Sequence, residues 1–245
     1  MSALVRAHVA AGNFFFRWRN SLFPLMFTFL AVLAYPASLT GSPAGDRALI
    51  RGGGLLALVG QAIRLITIGH QYIERGGKRG KVFASSLVVG GVYAHVRNPM
   101  YVGNLLMVAG LLLYSGAPVA IGIGLPFFLY VYLAIISAEE GYLAAKFGAD
   151  YQRYCHEVPS LVPRLSGWRE TFAGSTFDWR RALRKDYGTV YALALGLLFL
   201  PVWRTWFLEG SAAARSLLPA VLLGAAAATV GWAVTRWLKF RKRLG

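Results

Sequence analysis

The sequence predicts an all-α fold, a polytopic bundle of about six membrane-spanning helices with a polar segment between the fourth and fifth spans. Three observations predict it. The chain is 56% hydrophobic and only 15% charged, with a mean hydropathy of +0.50, far too apolar for a soluble domain. Uncharged runs close to the ~20 residues that one helical crossing needs recur along its length. The basic residues are also spread unevenly about those runs.

Taken in order, helices are predicted at about 22–39, 48–73, 100–115, 118–137, 189–208 and 217–238. Ahead of the first, residues 13–20 (NFFFRWRN) mix aromatic and basic side chains, as a segment lying among lipid headgroups does. The 22–39 run is too long, and begins too far into the chain, to be the apolar core of a cleaved signal peptide. The second span carries Arg64, and Gln61, Arg64, Ile68 and Gln71 fall near one helical face at intervals of three and four. A charge inside a span is costly unless it pairs, snorkels or lines a polar cavity. Two readings follow: Arg64 reaches Glu139, Glu140 or a headgroup, or Gln61 and Arg64 wall a substrate or cofactor pocket.

The stretch from Asn98 to Ala138 has no charge and is long enough to cross twice. Gly116 and Pro118 break it into a tight hairpin, so the two crossings return the chain to the side it left and bring Arg97 and Glu139 to one face. Residues 138–188 form the one sizeable polar insert, where a water-soluble ligand would meet the membrane, and the last two spans read as scaffold. The expected organisation is therefore an amino-terminal part at 1–59, a core at 60–165, a linker at 166–188 and two added spans at 189–245.

A net charge of +16 raises the question of nucleic acid. With six crossings and both termini in the cytosol, 21 of the 26 Lys and Arg residues fall on the cytosolic side, which is the positive-inside pattern. The charge then reports topology and attraction to anionic headgroups, with no nucleic-acid partner. In a bacterium the location would be the inner membrane. The one cysteine, Cys155, falls on the cytosolic side and has no intrachain partner.

Motifs of soluble enzymes are mostly missing. Residues 76–81 (GGKRGK) lack the spacing of a phosphate loop, with Val82 where Ser or Thr is required, and read as a flexible basic turn. His8, His70, His95 and His156 are scattered without metal-ligand spacing, so no metal is expected. What remains is Arg97-Asn98-Pro99-Met100-Tyr101, where a cation and an amide precede a helix-starting proline whose first turn leaves backbone donors free, and Glu139-Glu140 at the far end of the hairpin.

Residues 91–103 (GVYAHVRNPMYVG), the uncharged hairpin and then 139–163 (EEGYLAAKFGADYQRYCHEVPSLVP) resemble the isoprenylcysteine carboxyl methyltransferase and phospholipid methyltransferase superfamily of integral membrane enzymes. The resemblance covers roughly 60–164. It implies transfer of a methyl group from S-adenosylmethionine to a lipophilic acceptor. It further implies donor contacts from Ser85, Ser86, Leu87, Val88, Tyr93, Asn98, Pro99, Met100, Tyr101, Glu139, Glu140, Tyr151 and Tyr154. Arg97 and Glu139 would act by positioning and electrostatics, because a sulfonium and an ammonium gain from a carboxylate in a poorly solvated pocket. Gln61 and Arg64 remain the candidate substrate contacts.

Two positions depart from the eukaryotic prenylcysteine enzymes, which have His where this chain has Asn98 and a substrate-contacting Arg where it has Ile135. The alternatives are an NADPH-dependent reductase of the membrane sterol type, which shares a similar hairpin and tyrosine-rich segment, and a non-catalytic membrane protein retaining the fold. The acceptor is expected to be already nucleophilic, since no general base stands out.

Overall fold

In the computed structural model, residues 3–71, 82–173 and 175–241 are described, and all the regular structure among them is helical. The basic turn expected at 76–81 lies outside these residues.

Helix α1 (Ala3–Leu33) begins far ahead of the predicted span, because the aromatic and basic stretch around Arg17 and Arg19 continues the helix instead of lying apart from it. It ends before Tyr35-Pro36, where the residue preceding proline avoids the helical region. Helix α2 (Pro43–His70) starts with Pro43 in its first turn and Ser42 as N-cap, the hydroxyl accepting from the Gly45 N–H at 3.1 Å. The loop before it is tied down by Asp46 Oδ1, which accepts the backbone N–H groups of Leu39 and Thr40 at 2.9 Å each.

Helix α3 (Pro99–Ser115) and helix α4 (Pro118–Phe147) form the expected hairpin, turning at Gly116 with a φ of 64° that favours glycine. Helix α4 runs about ten residues further than predicted, so Glu139 and Glu140 sit inside it and do not mark its end. After Gly148, which has a φ of 53°, come α5 (Ala149–Glu157) and the short α6 (Trp168–Ala173). Helix α7 (Trp179–Glu209) starts ten residues before its predicted position, because Asp178 caps it by accepting the Arg181 N–H at 2.9 Å. The 166–188 segment is therefore largely helical. Helix α8 (Ser211–Phe240) completes the chain.

Helices α2, α4, α7 and α8 are long and apolar enough to cross a bilayer, and α3 is a shorter apolar helix of 17 residues. The bundle turns apolar side chains such as Leu223, 75% exposed, and Leu55, 64% exposed, outward, as lipid requires and water would not. This is an integral membrane protein. Its core gathers Leu30, Val108, Leu112, Phe128 and Tyr132, with Phe27 stacked on Phe128 at 4.9 Å and Phe23 edge-on to it at 5.2 Å.

Helices α2 and α3 approach through glycine. A Cβ placed on Gly60 would lie 2.5 Å from the Gly103 carbonyl oxygen, and one on Gly110 would lie 2.4 Å from the Ala57 nitrogen. Backbone meets backbone there, as small residues permit in membrane helix pairs. The same contact makes room for Arg64, whose Cγ would stand 2.6 Å from a Cβ on Gly103.

Candidate functional site

Glu139 and Glu140 are adjacent on α4, so their side chains diverge by about 100° around the helix and take separate partners. Tyr101 donates its hydroxyl to Glu139 Oε1 at 2.7 Å. Glu140 Oε1 accepts from Arg97 Nε at 3.2 Å, from Asn98 Nδ2 at 3.0 Å and from the Ser160 hydroxyl at 3.1 Å. The hairpin thus brings both motifs together, and the ion pair of Arg97 is made with Glu140. Burial works against the Arg97 charge, but Glu140, with smaller contributions from Cys155 and Tyr151, holds the guanidinium more firmly protonated than usual.

A strap after α5 fastens this arrangement. Arg97 and Asn98 donate their backbone N–H groups to the carbonyls of Pro159 and Ser160 at 2.9 and 3.1 Å. Arg97 also donates to the Cys155 carbonyl at 3.0 Å. The buried Tyr154 donates its hydroxyl to the Tyr93 carbonyl in the 3-10 turn Gly91–Ala94 at 2.7 Å. Gly91 has a φ of 61°, and a Cβ there would come within 2.9 Å of Gln71 Oε1, so only glycine suits this turn. Further along, Arg164 donates its N–H to the His95 carbonyl at 3.0 Å, and the His95 ring stacks on Trp168 at 4.0 Å. Burial pushes the Tyr151 and Tyr154 hydroxyls well above the ordinary tyrosine value, so both remain protonated at neutral pH.

Behind these contacts lies a cavity of about 1140 Å³. Ser85, Ser86, Leu87, Val88, Tyr93, Arg97, Asn98, Pro99, Met100, Tyr101, Glu139, Tyr151 and Tyr154 all line it. Glu140 and Gln61 are not among its described lining residues: Glu140 braces Arg97 and Asn98 from behind, and Gln61 Nε2 donates to Asp186 Oδ2 at 2.7 Å. The wall continues along α3 through Met107, Leu111 and Leu112 and is closed by Phe27 of α1 and by Leu193, Phe199 and Trp203 of α7. Helix α7 therefore builds the cavity, which corrects the reading of the last spans as scaffold alone.

Arg64 lines the cavity too, and its partner is neither Glu139, Glu140 nor a headgroup. It pairs with Asp186 of α7, through Nε to Oδ2 at 3.1 Å and NH2 to Oδ1, donates through NH1 to Asn104 Oδ1, and reaches the Thr189 hydroxyl oxygen at 3.2 Å. Asp186 escaped the sequence reading because it closes a basic run 122 residues away and falls just before the predicted fifth span. Ser160 and Asn104 could have been found. Ser160 lies inside the second motif, and Asn104 is an amide three residues after Tyr101 in an otherwise apolar helix. Ile135, at the position where the prenylcysteine enzymes have Arg, is fully buried against Phe16 and Val131.

Fold and site together define a helical membrane protein with a polar pocket opening into an apolar channel. Residues 50–150 match the family model described as phospholipid methyltransferase. A protein-S-isoprenylcysteine O-methyltransferase of Schizosaccharomyces pombe is 35% identical over 79 residues, 32% of this chain and 34% of that protein. A methanethiol S-methyltransferase 2 of Bradyrhizobium diazoefficiens is 40% identical over 87 residues, 33% of this chain and 30% of that protein. A cobalt-zinc-cadmium resistance protein of Cupriavidus metallidurans is 30% identical over 117 residues, 47% of this chain and 52% of that protein. The chain spans about half the length, or less, of these curated relatives. No solved structure matches it. Residues 50–150 are thus similar to the phospholipid methyltransferase family, and shorter stretches of the chain are similar to the two methyltransferases.

Proposed function

We propose that this protein is an S-adenosylmethionine-dependent methyltransferase that modifies a lipophilic acceptor drawn from the bilayer. The observation that carries the reading is the continuity of one cavity: its polar end holds Glu139, Tyr101, Asn98 and Tyr93, and the same space runs on between apolar faces of α1, α3 and α7. A water-soluble donor and a membrane-soluble acceptor need such a junction.

The residues present fit this donor. Glu139 supplies a carboxylate on the cavity wall, the complement of a sulfonium or an ammonium. Asn98 and Met100 flank the start of α3, where Pro99 has no N–H and the Tyr101 N–H goes to the Asn98 carbonyl at 3.0 Å, so the Met100 N–H is the first-turn donor to offer a carboxylate. Asn98 is held in place by Glu140 and by Ser160, to which its Nδ2 also donates at 3.1 Å. When bound, the donor would supply an activated methyl group; the chain's own contribution is to orient it, exclude water and align the acceptor, which accounts for a large part of a displacement barrier. Gln61 acts through Asp186, behind the wall, and Arg64 faces the acceptor.

Calorimetry on the purified protein in phosphatidylcholine nanodiscs tests the reading. Binding of S-adenosylhomocysteine with no response to NADPH is the expected outcome. Binding of NADPH alone would overturn it in favour of a reductase, and binding of neither would favour a non-catalytic role.

A further inference from the structure

Resting on the methyltransferase reading, we infer that Arg64, Asn104 and Thr189 form a polar belt that receives the acceptor's reacting group. Asp186 positions that belt, and the group it receives is a carboxylate or phenolate oxygen, not an amine.

The belt lies where the acceptor has to be. Asn104 is three residues beyond Tyr101 on the same face of α3, about 4.5 Å deeper along the helix. It is therefore the floor beneath the Tyr101–Glu139 pair, and past it the α3 wall turns apolar at Met107 and Leu111.

Its chemistry is that of donors. A guanidinium has five N–H groups and no acceptor, so Asn104 turns its oxygen to Arg64, which leaves both its amide N–H groups to offer to a ligand. The carboxylate of Asp186 is 0% exposed, is occupied by Arg64 and Gln61, and is not among the described lining residues. An ammonium at this depth meets donors with the acid behind them, whereas an oxygen meets its complement. Glu139 is the carboxylate that faces the cavity one turn higher, and the donor's cationic groups occupy it in the proposed reading.

Asp186 also makes the belt affordable in a membrane. A lone arginine there is expensive, and a bidentate pair fixes its plane as well as its charge. Arg64 and Asn104 lie inside the 50–150 segment, whereas Thr189 and Asp186 come from α7, outside it, so the belt is completed by a part of the chain beyond the family match. In the transfer, an oxygen lone pair forms the new O–CH3 bond while the S–CH3 bond of the sulfonium breaks and leaves its electron pair on sulfur. A carboxylate or phenolate loses its charge in that step, and no proton has to be removed.

The test uses two probes of equal chain length, hexadecanoic acid and hexadecylamine, offered to the full-length protein in phosphatidylcholine nanodiscs saturated with S-adenosylhomocysteine. The acid should bind at least about tenfold more tightly than the amine, the effect of one charge-assisted hydrogen bond. The double variant Arg64→Leu/Asp186→Leu removes the buried pair together, which is tolerated far better than removing one partner; it should keep its S-adenosylhomocysteine affinity and lose the preference. If it fails to insert, Asn104→Ala should weaken the acid by about tenfold and leave the amine unchanged. Wild-type protein that binds the amine as tightly as the acid, or a variant that keeps the full preference, overturns the belt. Loss of S-adenosylhomocysteine binding in the wild type instead overturns the methyltransferase reading, a result separable from either.

Discussion

At the scale of single residues, the two adjacent glutamates do different work. Glu139 faces the cavity and accepts from Tyr101, while Glu140 gathers Arg97, Asn98 and Ser160 behind the wall. Glu139→Gln keeps a hydrogen-bond acceptor for Tyr101 and removes the charge, so it should weaken S-adenosylmethionine more than S-adenosylhomocysteine, which lacks the sulfonium. The expected loss is about tenfold to a hundredfold, from the ~1.5–3 kcal/mol of a hydrogen bond to a charged group, and equal losses for the two ligands in calorimetry would count against a sulfonium partner. Glu140→Ala should act on stability first. It strips the anion from Arg97 and two bonds from the Asn98–Ser160 junction, at a cost of about 1–3 kcal/mol, read as a lowered thermal midpoint in detergent.

At the scale of elements, the approach of α2 to α3 depends on what glycine lacks. Gly110→Leu would drive a side chain into the backbone of Ala57 and Gly53, 2.4 and 2.6 Å from the first added carbon. Overpacking of that kind costs about 1–3 kcal/mol, and here the separation of α2 from α3 would also carry Arg64 away from Asn104. The variant should therefore lose monodispersity on size exclusion and any methyl-transfer activity together, while Gly122→Leu, with nothing within 4 Å of its added Cβ, should change neither. The hairpin was legible in the sequence because Gly116 and Pro118 punctuate an uncharged run, and the two motifs announced themselves by their residues. The starts of α1 and α7 were not. Arg17, Arg19, Arg181 and Arg184 read as loop charges, and only tertiary contacts show that the helix continues through them. Asp186 was hidden for the same reason, since an acid within a basic run looks solvated until its partner 122 residues away is known.

At the scale of the whole molecule, local contacts sort the connections into two sets, and these decide how the chain crosses the membrane. The α1–α2 loop meets the α3–α4 turn through the Ala37 N–H and the Gly116 carbonyl at 2.9 Å, and Trp203, near the end of α7, donates to the Ala31 carbonyl at 3.2 Å. At the opposite end, Asp178 donates its N–H to the Gly69 carbonyl at 2.9 Å, and the strap after α5 holds 95–98. Helix α3 is only about 25 Å long, somewhat short of a ~30 Å hydrocarbon core, but it reaches from one set of contacts to the other and must cross with α4. From these contacts we propose six crossings, with both termini and both motifs on one side, and the surplus of Lys and Arg favours the cytosol as that side. In a Cys155→Ser background, single cysteines at Ala44, Ala212 and Arg169 read this arrangement directly. A membrane-impermeant maleimide added to intact cells should label Ala44→Cys and Ala212→Cys and spare Arg169→Cys until the membrane is opened. Labelling of Ala44→Cys and Arg169→Cys from the same side would mean that α2 does not cross together with the hairpin, and the cavity would then have to be fed from a single leaflet.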